Sequence, residues 1–430
     1  MTDMIQEAVH PPIQWTLNPH AAEVKDSAAV QRLLPQGAIE DVIDFHRQIP
    51  DYAVTSLHPL TRLAERLGLG SLWVKDESNR MGLNAFKSLG GSYAVYQFIR
   101  QQLGVDHLTY DELLSEFTRQ RLGDITFTSA TDGNHGKGLA WACERLGFPC
   151  VIYVHKDTTQ ARIDAIAAYG AEVRVVDGTY DDAVHQCSLD AEANGWQVIS
   201  DTSWEGYEEI PAWVMQGYTT LLSEALDQMQ QQGVQQPTHV VIQGGVGAFA
   251  AAVCSFFKRR YGYGDEAPKL VIVEPATAAC LYHSAVVADG QPHTIGGELQ
   301  TIMAGLACGE PSALAWGVLW DCADAFLAVP DYVGAKGMRV YGMPLSGDPA
   351  IVSGESGAVT LGALTFLMES PQYADLRQAL DIDADSQVLL VSTEGDTDPE
   401  YYRYVVWEGG YAVPEQYAQR HRLDANDNHS

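Results

Sequence analysis

Basic residues are scarce in this chain: 26 Lys and Arg stand against 56 Asp and Glu, a formal charge of -30 over 430 residues. A nucleic-acid groove or an anionic membrane surface would be repelled by such a chain, so neither partner is expected, whereas a small zwitterion is acceptable. An ordinary acidic cytosolic protein has this balance, and so does one from a high-salt habitat. The seven cysteines form no CxxC pair and no zinc-like His/Cys spacing, which argues against a disulfide scaffold and a structural metal; no metal site is read. Buried thiols are the simpler reading, and a redox pair of Cys280 with Cys308 would need a proximity that sequence separation does not show. No basic segment followed by an apolar core opens the chain, so a secretory signal is not expected and the cytoplasm is. Residues 240–257 carry no charge and end at Lys258-Arg259-Arg260, imitating a membrane span. Gln243-Gly244-Gly245-Val246-Gly247 would break such a helix, leaving a buried strand, a turn and a core helix. There is no internal repeat and no low-complexity tract.

What the chain has is enough apolar content, 46%, for a large core in two domains or one elaborate one. Past residue 87 it alternates in the rhythm of βαβ units: strand 124–128, helix 134–146, strand 150–155, helix 160–169, strand 172–176. Such units require a parallel sheet, because each crossover must return the chain to the same end. A second series follows an amphipathic stretch at 213–229, with strands at 239–242, 270–273 and 388–391, so two open parallel sheets are expected. Residues 104–123 read as a helical surface insertion. Residues 1 to about 50 and the tail 424–430 carry no legible chemistry.

Three strand-to-helix turns hold the chemistry, and ligands of open parallel sheets bind outside the carboxyl ends of the strands. Asn84-Ala85-Phe86-Lys87 follows a strand at 72–75 and opens a helix at 88–100. Asp132-Gly133-Asn134-His135-Gly136 follows the second strand, and Gly244-Gly245-Val246-Gly247 follows the strand at 239–242. A lysine, a polar clamp and a phosphate loop together suggest pyridoxal phosphate, which needs an amine to hold its aldehyde and backbone N–H groups to hold its phosphate. Lys87 is the candidate amine. Lys75, beside Asp76 and Glu77, and Lys137, on an early helical turn, are better suited to ion-paired or solvated roles. The glycine loop alone is also compatible with a dinucleotide, but Glu274 lies about thirty residues on where about twenty is wanted. Residues 129–131 and the helix start behind them could seat a substrate carboxylate.

The run Lys75-Asp76-Glu77-Ser78 through Gly82-Leu83-Asn84-Ala85-Phe86-Lys87 resembles the fold-type II pyridoxal-phosphate enzymes, the tryptophan synthase β-like family, and more narrowly the diaminopropionate ammonia-lyases. Asp201-Thr202-Ser203-Trp204-Glu205-Gly206-Tyr207, Thr301-Ile302-Met303-Ala304-Gly305-Leu306, Ser353-Gly354-Glu355-Ser356-Gly357-Ala358 and Ser392-Thr393-Glu394-Gly395-Asp396-Thr397-Asp398 carry the narrower likeness, which spans about residues 55 to 410. The resemblance implies a large cofactor domain of residues 1–88 and 219–430, a small α/β domain of 89–218, the cofactor between them, and a homodimer. It implies Lys87 as the Schiff-base lysine, Asn134 on the cofactor's phenolic oxygen, His135 in a structural role, and Gly244, Gly245, Val246 and Gly247 around the phosphate. Thr393 best matches the neutral hydroxyl at the pyridine nitrogen, with Ser392 and Ser356 as alternatives. Asp132 stands where serine and threonine dehydratases carry a small uncharged residue, and with Asp201 it would recognise a substrate's second ammonium and handle its proton. The implied reaction eliminates ammonia from 2,3-diaminopropionate of either hand, with bases on both faces of the α-carbon, and ends in pyruvate and a second ammonia. A serine or threonine dehydratase, or another fold-type II β-eliminating enzyme, is the alternative.

Overall fold

The computed structural model describes residues 12–131 and 133–418; Asp132 lies outside them. In chain order the strands are β1 Gln14–Leu17, β2 Leu57–Pro59, β3 Ser71–Asp76, β4 Phe127–Ala130, β5 Cys150–His155, β6 Glu172–Val176, β7 Gln197–Val198, β8 His239–Gln243, β9 Lys269–Pro275, β10 Ala325–Val329 and β11 Gln387–Ser392. They build a seven-stranded sheet in the order β1-β10-β9-β8-β11-β3-β2 and a four-stranded sheet in the order β6-β5-β4-β7. The small sheet is parallel throughout, and the large one is parallel from β10 to β3, with β1 and β2 running antiparallel along its edges.

This is the expected architecture, and its cause is visible in the strands. Every residue of β8 and of β10 is buried, as apolar runs covered by helices on both faces must be. The edge strands were not legible, since three or four residues pairing on one side leave no long pattern. Elsewhere the expected bounds hold for the helix Asn134–Leu146 and for β5 and β6. β4 begins three residues later than expected, because pairing starts where the Phe127 N–H meets Pro149 O, while Ile125 turns back on Gly123. The uncharged stretch 240–257 is the end of β8, the glycine turn and the start of the helix Ala248–Tyr261. No described helix is long and apolar enough to cross a membrane.

The amphipathic stretch 213–229 lies in two helices, Glu209–Gly217 and Thr219–Gln231. The break comes from close packing: a Cβ on Gly217 would sit 2.4 Å from Leu89 O, so this helix presses directly on the helix Ser88–Leu103. Tyr218, at the junction, is thereby laid against Phe86 with ring centroids 4.6 Å apart. Residues 104–123 form the helices Tyr110–Leu114 and Glu116–Leu122, the first closed by a Thr109–Glu112 capping box.

Next to the Lys87 segment lies a buried cluster of four charges. Lys75 Nζ donates to Glu224 Oε2 at 2.7 Å, and Arg80 reaches Glu77 Oε2 at 2.8 Å and Glu224 Oε2 at 2.7 Å. Lys75, Glu77 and Arg80 have no exposed surface. Two cations balance two carboxylates, and Thr55, Tyr52 and the Ala53 carbonyl complete the hydrogen bonds. Lys75 is therefore ion-paired, as its acidic neighbours suggested, although its main partner comes from a distant helix. Deleting one member leaves an uncompensated buried charge, so Arg80→Met should lose on the order of 3–5 kcal/mol. Urea unfolding of the two proteins checks this, and an unchanged midpoint would show that the cluster does not hold this region together.

Candidate active site

The lysine segment is sewn to the end of β11 by backbone hydrogen bonds. Phe86 N donates to Thr393 O at 3.2 Å, Gly395 N donates to Asn84 O at 3.1 Å, and Ala85 bridges Glu394. To make this turn Asn84 adopts φ 60°, a left-handed conformation that asparagine tolerates better than most residues. Lys87 is thus delivered to the N-cap of the helix Ser88–Leu103, with its side chain about a quarter exposed.

Lys87 Nζ donates to Asp201 Oδ2 at 2.6 Å. Burial alone would lower the lysine's pKa, but the Asp201 carboxylate overcomes it and holds the ammonium above its ordinary value. Burial likewise opposes the Asp201 charge, and the Lys87 ammonium outweighs it, so the carboxyl stays well below its usual range. His135 is buried and donates Nε2–H to Ile199 O at 2.8 Å, with Nδ1 3.9 Å from Asp201 Oδ2. Burial lowers its pKa and leaves it neutral, in keeping with a structural role. Tyr218 adds a buried hydroxyl with no hydrogen-bond partner. Among the rival lysines, Lys75 is committed to its charge cluster and Lys137 Nζ to Leu83 O at 2.9 Å.

Across from the lysine, Asn134 opens its helix and donates Nδ2–H to Glu394 Oε2 at 2.7 Å. Thr393 Oγ1 accepts from Gln243 Nε2 at 2.9 Å, and the same nitrogen reaches Val391 O and Ser356 O. The Ser392 hydroxyl is spent on Ser353 Oγ at 2.8 Å, whereas Ser356 Oγ is buried and has no partner. Burial, then the Glu394 charge, pushes Glu355 up to about 7. The sequence pointed to Thr393, Ser356 and Asn134 but not to Gln243, Glu394 or Tyr218. Gln243 ends β8 just before the glycine loop, and that adjacency was the available signal.

The glycine loop joins β8 to the helix Ala248–Tyr261, whose first N–H groups and dipole favour an anion. The Gly244 N–H is committed to Val273 O at 2.9 Å, so Gly244 contributes chiefly its lack of a side chain: a Cβ would meet Leu281 at 2.7 Å. Gly245 lies under Gly305 and Cys308, 3.2 and 3.3 Å from an added Cβ, which brings the 301–306 motif onto the loop. Gly247 has φ +97°, a conformation that L side chains rarely adopt. The residues present fit pyridoxal phosphate: a half-buried lysine, a backbone anion cradle, and the unpartnered Ser356 and Tyr218 hydroxyls. Cys280 Sγ lies 3.7 Å from Gly245 O, and Cys308 also adjoins that glycine, but no disulfide joins them. Asp132 of the Asp132-Gly133-Asn134 turn is outside the described residues.

Over most of its length the chain has close relatives of known class. A pyridoxal-phosphate-dependent enzyme family model matches residues 49–394. The diaminopropionate ammonia-lyase of Salmonella typhimurium is 45% identical over 404 residues, 93% of this chain and 99% of the relative. That of Escherichia coli K12 is 48% identical over 370 residues, 86% of this chain and 91% of the relative. The chain belongs to the diaminopropionate ammonia-lyase family. The holo crystal structure of the Escherichia coli enzyme superposes with a TM-score of 0.85 at 43% identity, covering 94% of this chain and 98% of that one, and the same enzyme is solved in complex with D-serine. Both the fold-type II architecture and the pyridoxal phosphate cofactor follow from this membership, and the dehydratase alternative gives way to a carbon–nitrogen lyase.

Glu274 falls out of the dinucleotide reading, because its carboxyl accepts Leu281 N–H at 2.9 Å and Tyr282 N–H at 2.6 Å at a helix start. Burial nevertheless raises it from 4.5 to about 8. A carboxyl raised in the folded state is held protonated there, so its contribution to stability is full below pH 4.5 and is lost as pH rises through about 8. Glu274→Gln should flatten the decline in melting temperature over that window. Parallel pH profiles of the two proteins would contradict the assignment.

Proposed function

We propose that this member of the family eliminates ammonia from 2,3-diaminopropionate of either hand, with Lys87, Asp132 and Asp201 as its proton-handling groups. Bound pyridoxal phosphate supplies the electron sink for α-proton loss. Lys87 would hold the cofactor's aldehyde carbon, Asn134 its phenolic oxygen and Gly244 to Gly247 its phosphate. Thr393 suits the pyridine nitrogen: Gln243 Nε2 can only donate to its oxygen, so the Thr393 O–H is left to donate elsewhere. That leaves the ring nitrogen unprotonated, which favours elimination over transamination.

The observation that carries the reading is the 2.6 Å contact between Lys87 Nζ and Asp201 Oδ2. As an ammonium Lys87 cannot attack a carbonyl, and Asp201 is the acceptor within reach of its proton. Lys87 would serve one face of the substrate's α-carbon and Asp132 or Asp201 the other; the adjacency of Lys87 and Asp201 supports a joint role for that pair, which makes Asp132 our candidate for the opposite face. A second ammonium on the substrate is also a ligand that carboxylates recognise and a neutral residue does not. The four strands of the small sheet all come from residues 127–198, which supports a small domain of 89–218 and a large one of 1–88 and 219–430. The enzyme acts as a cytoplasmic homodimer in this reading. Its cysteines form no disulfide and are mostly buried, which suits a reducing compartment, and Met343 and Trp407, 64% and 73% exposed, offer apolar surface to a second copy.

Pyruvate release should favour diaminopropionate over serine and threonine in kcat/KM by a wide margin, and Asp132→Ala should narrow it. Asp132→Asn and Asp201→Asn keep size and remove basicity. With each isomer assayed separately, Asp132→Asn should impair the two unequally by a factor of about 100 or more, the usual scale of a lost general base. Equal losses for both isomers in both variants would rule out bases on opposite faces.

A further inference from the structure

Glu394 has a task of its own at this site. Its side chain is buried, and both carboxylate oxygens are addressed: Oε2 by Asn134 Nδ2 at 2.7 Å and Oε1 by the Ser356 backbone N–H at 3.2 Å. Its backbone is pinned as well, through the bridge to Ala85 and through Gly354 N–H donating to its carbonyl at 3.0 Å. The carboxylate is therefore fixed in place by backbone groups that cannot rotate, the Ser356 N–H and its own pinned main chain. An ionised carboxylate only accepts, so it dictates which end of the Asn134 amide faces it. That end is the nitrogen, which carries two N–H bonds: one serves Glu394 and the other is available to a second acceptor.

Resting on the reading that Asn134 serves the cofactor's phenolic oxygen, we propose that Glu394 is a positioning residue that locks the Asn134 amide with its nitrogen toward the cofactor cleft. Without this lock the amide could turn its carbonyl oxygen to an anionic ligand atom and repel it. Glu394→Gln tests this with little change in volume. The immobile Ser356 N–H claims the glutamine's carbonyl oxygen, which turns the glutamine's NH2 toward Asn134. Asn134 must then present Oδ1 to it, and the N–H is withdrawn from the cleft.

The experiment is a double-mutant cycle on pyridoxal phosphate dissociation, measured for the wild type, Asn134→Ala, Glu394→Gln and the double variant, with the pH titration of the bound cofactor's visible absorbance recorded for each. Each single change should weaken binding roughly tenfold, the worth of one hydrogen bond to a charged group. The double variant should be no weaker than Asn134→Ala, and the titration midpoint should shift in Glu394→Gln. If Asn134→Ala weakens binding but Glu394→Gln does not, or if the two losses multiply, the positioning role is overturned while the Asn134 reading stands. If Asn134→Ala binds as tightly as the wild type, the Asn134 reading fails and the proposal with it. Should Glu394→Gln not fold, Glu394→Asp, which keeps the charge but falls short of Asn134, repeats the cycle with the same expected non-additivity.

Discussion

The backbone stitch between residues 84–86 and 393–395 is the constraint on which the site depends. It places the start of the Lys87 helix at the carboxyl end of β11, beside the glycine loop at the end of β8. A lysine on an untethered loop would sample many positions; here two hydrogen bonds and a left-handed Asn84 leave it one. The same stitch sets Glu394 opposite Asn134, so the helix that follows β4 of the small sheet is tied to the end of β11 of the large one. The site is therefore a meeting of strand ends, and its accuracy comes from rigid elements.

Charge inside the molecule is organised by compensation. The chain carries few cations, and three in and beside the site are spent on specific carboxylates: Lys75 and Arg80 on Glu224 and Glu77, Lys87 on Asp201. In the proposed reading phosphate is left to backbone N–H groups and a helix dipole, a solution that suits an acidic protein because it consumes no lysine or arginine. Glu274 and Glu394 depart from this pattern, buried carboxyls with amide donors in place of a cation, and burial pushes Glu274 up to about 8.

Much of this was legible from residues alone. The βαβ rhythm of 127–176 and the buried strands β8, β9 and β11 follow from periodicity, and the three polar turns follow from the rule that ligands sit at strand ends. The edge strands β1 and β2 escaped because they pair on one side only. The break at Tyr218 escaped because it arises from the contact of Gly217 with Leu89, a tertiary fact with no local signature. For the same reason Lys75 could be recognised as ion-paired while Glu224, about 150 residues away, could not be named. Glu394 and Gln243 lay inside or beside recognised motifs, yet what they do depends on which side chain stands opposite, and only the fold shows that.

The most direct test of the account is the location of the lysine that carries the cofactor. Borohydride reduction of the loaded enzyme, followed by proteolysis and mass mapping, should place the pyridoxyl label on the peptide containing Lys87, and Lys87→Ala should take up none. A label on Lys75 or Lys137 would contradict the site as built here.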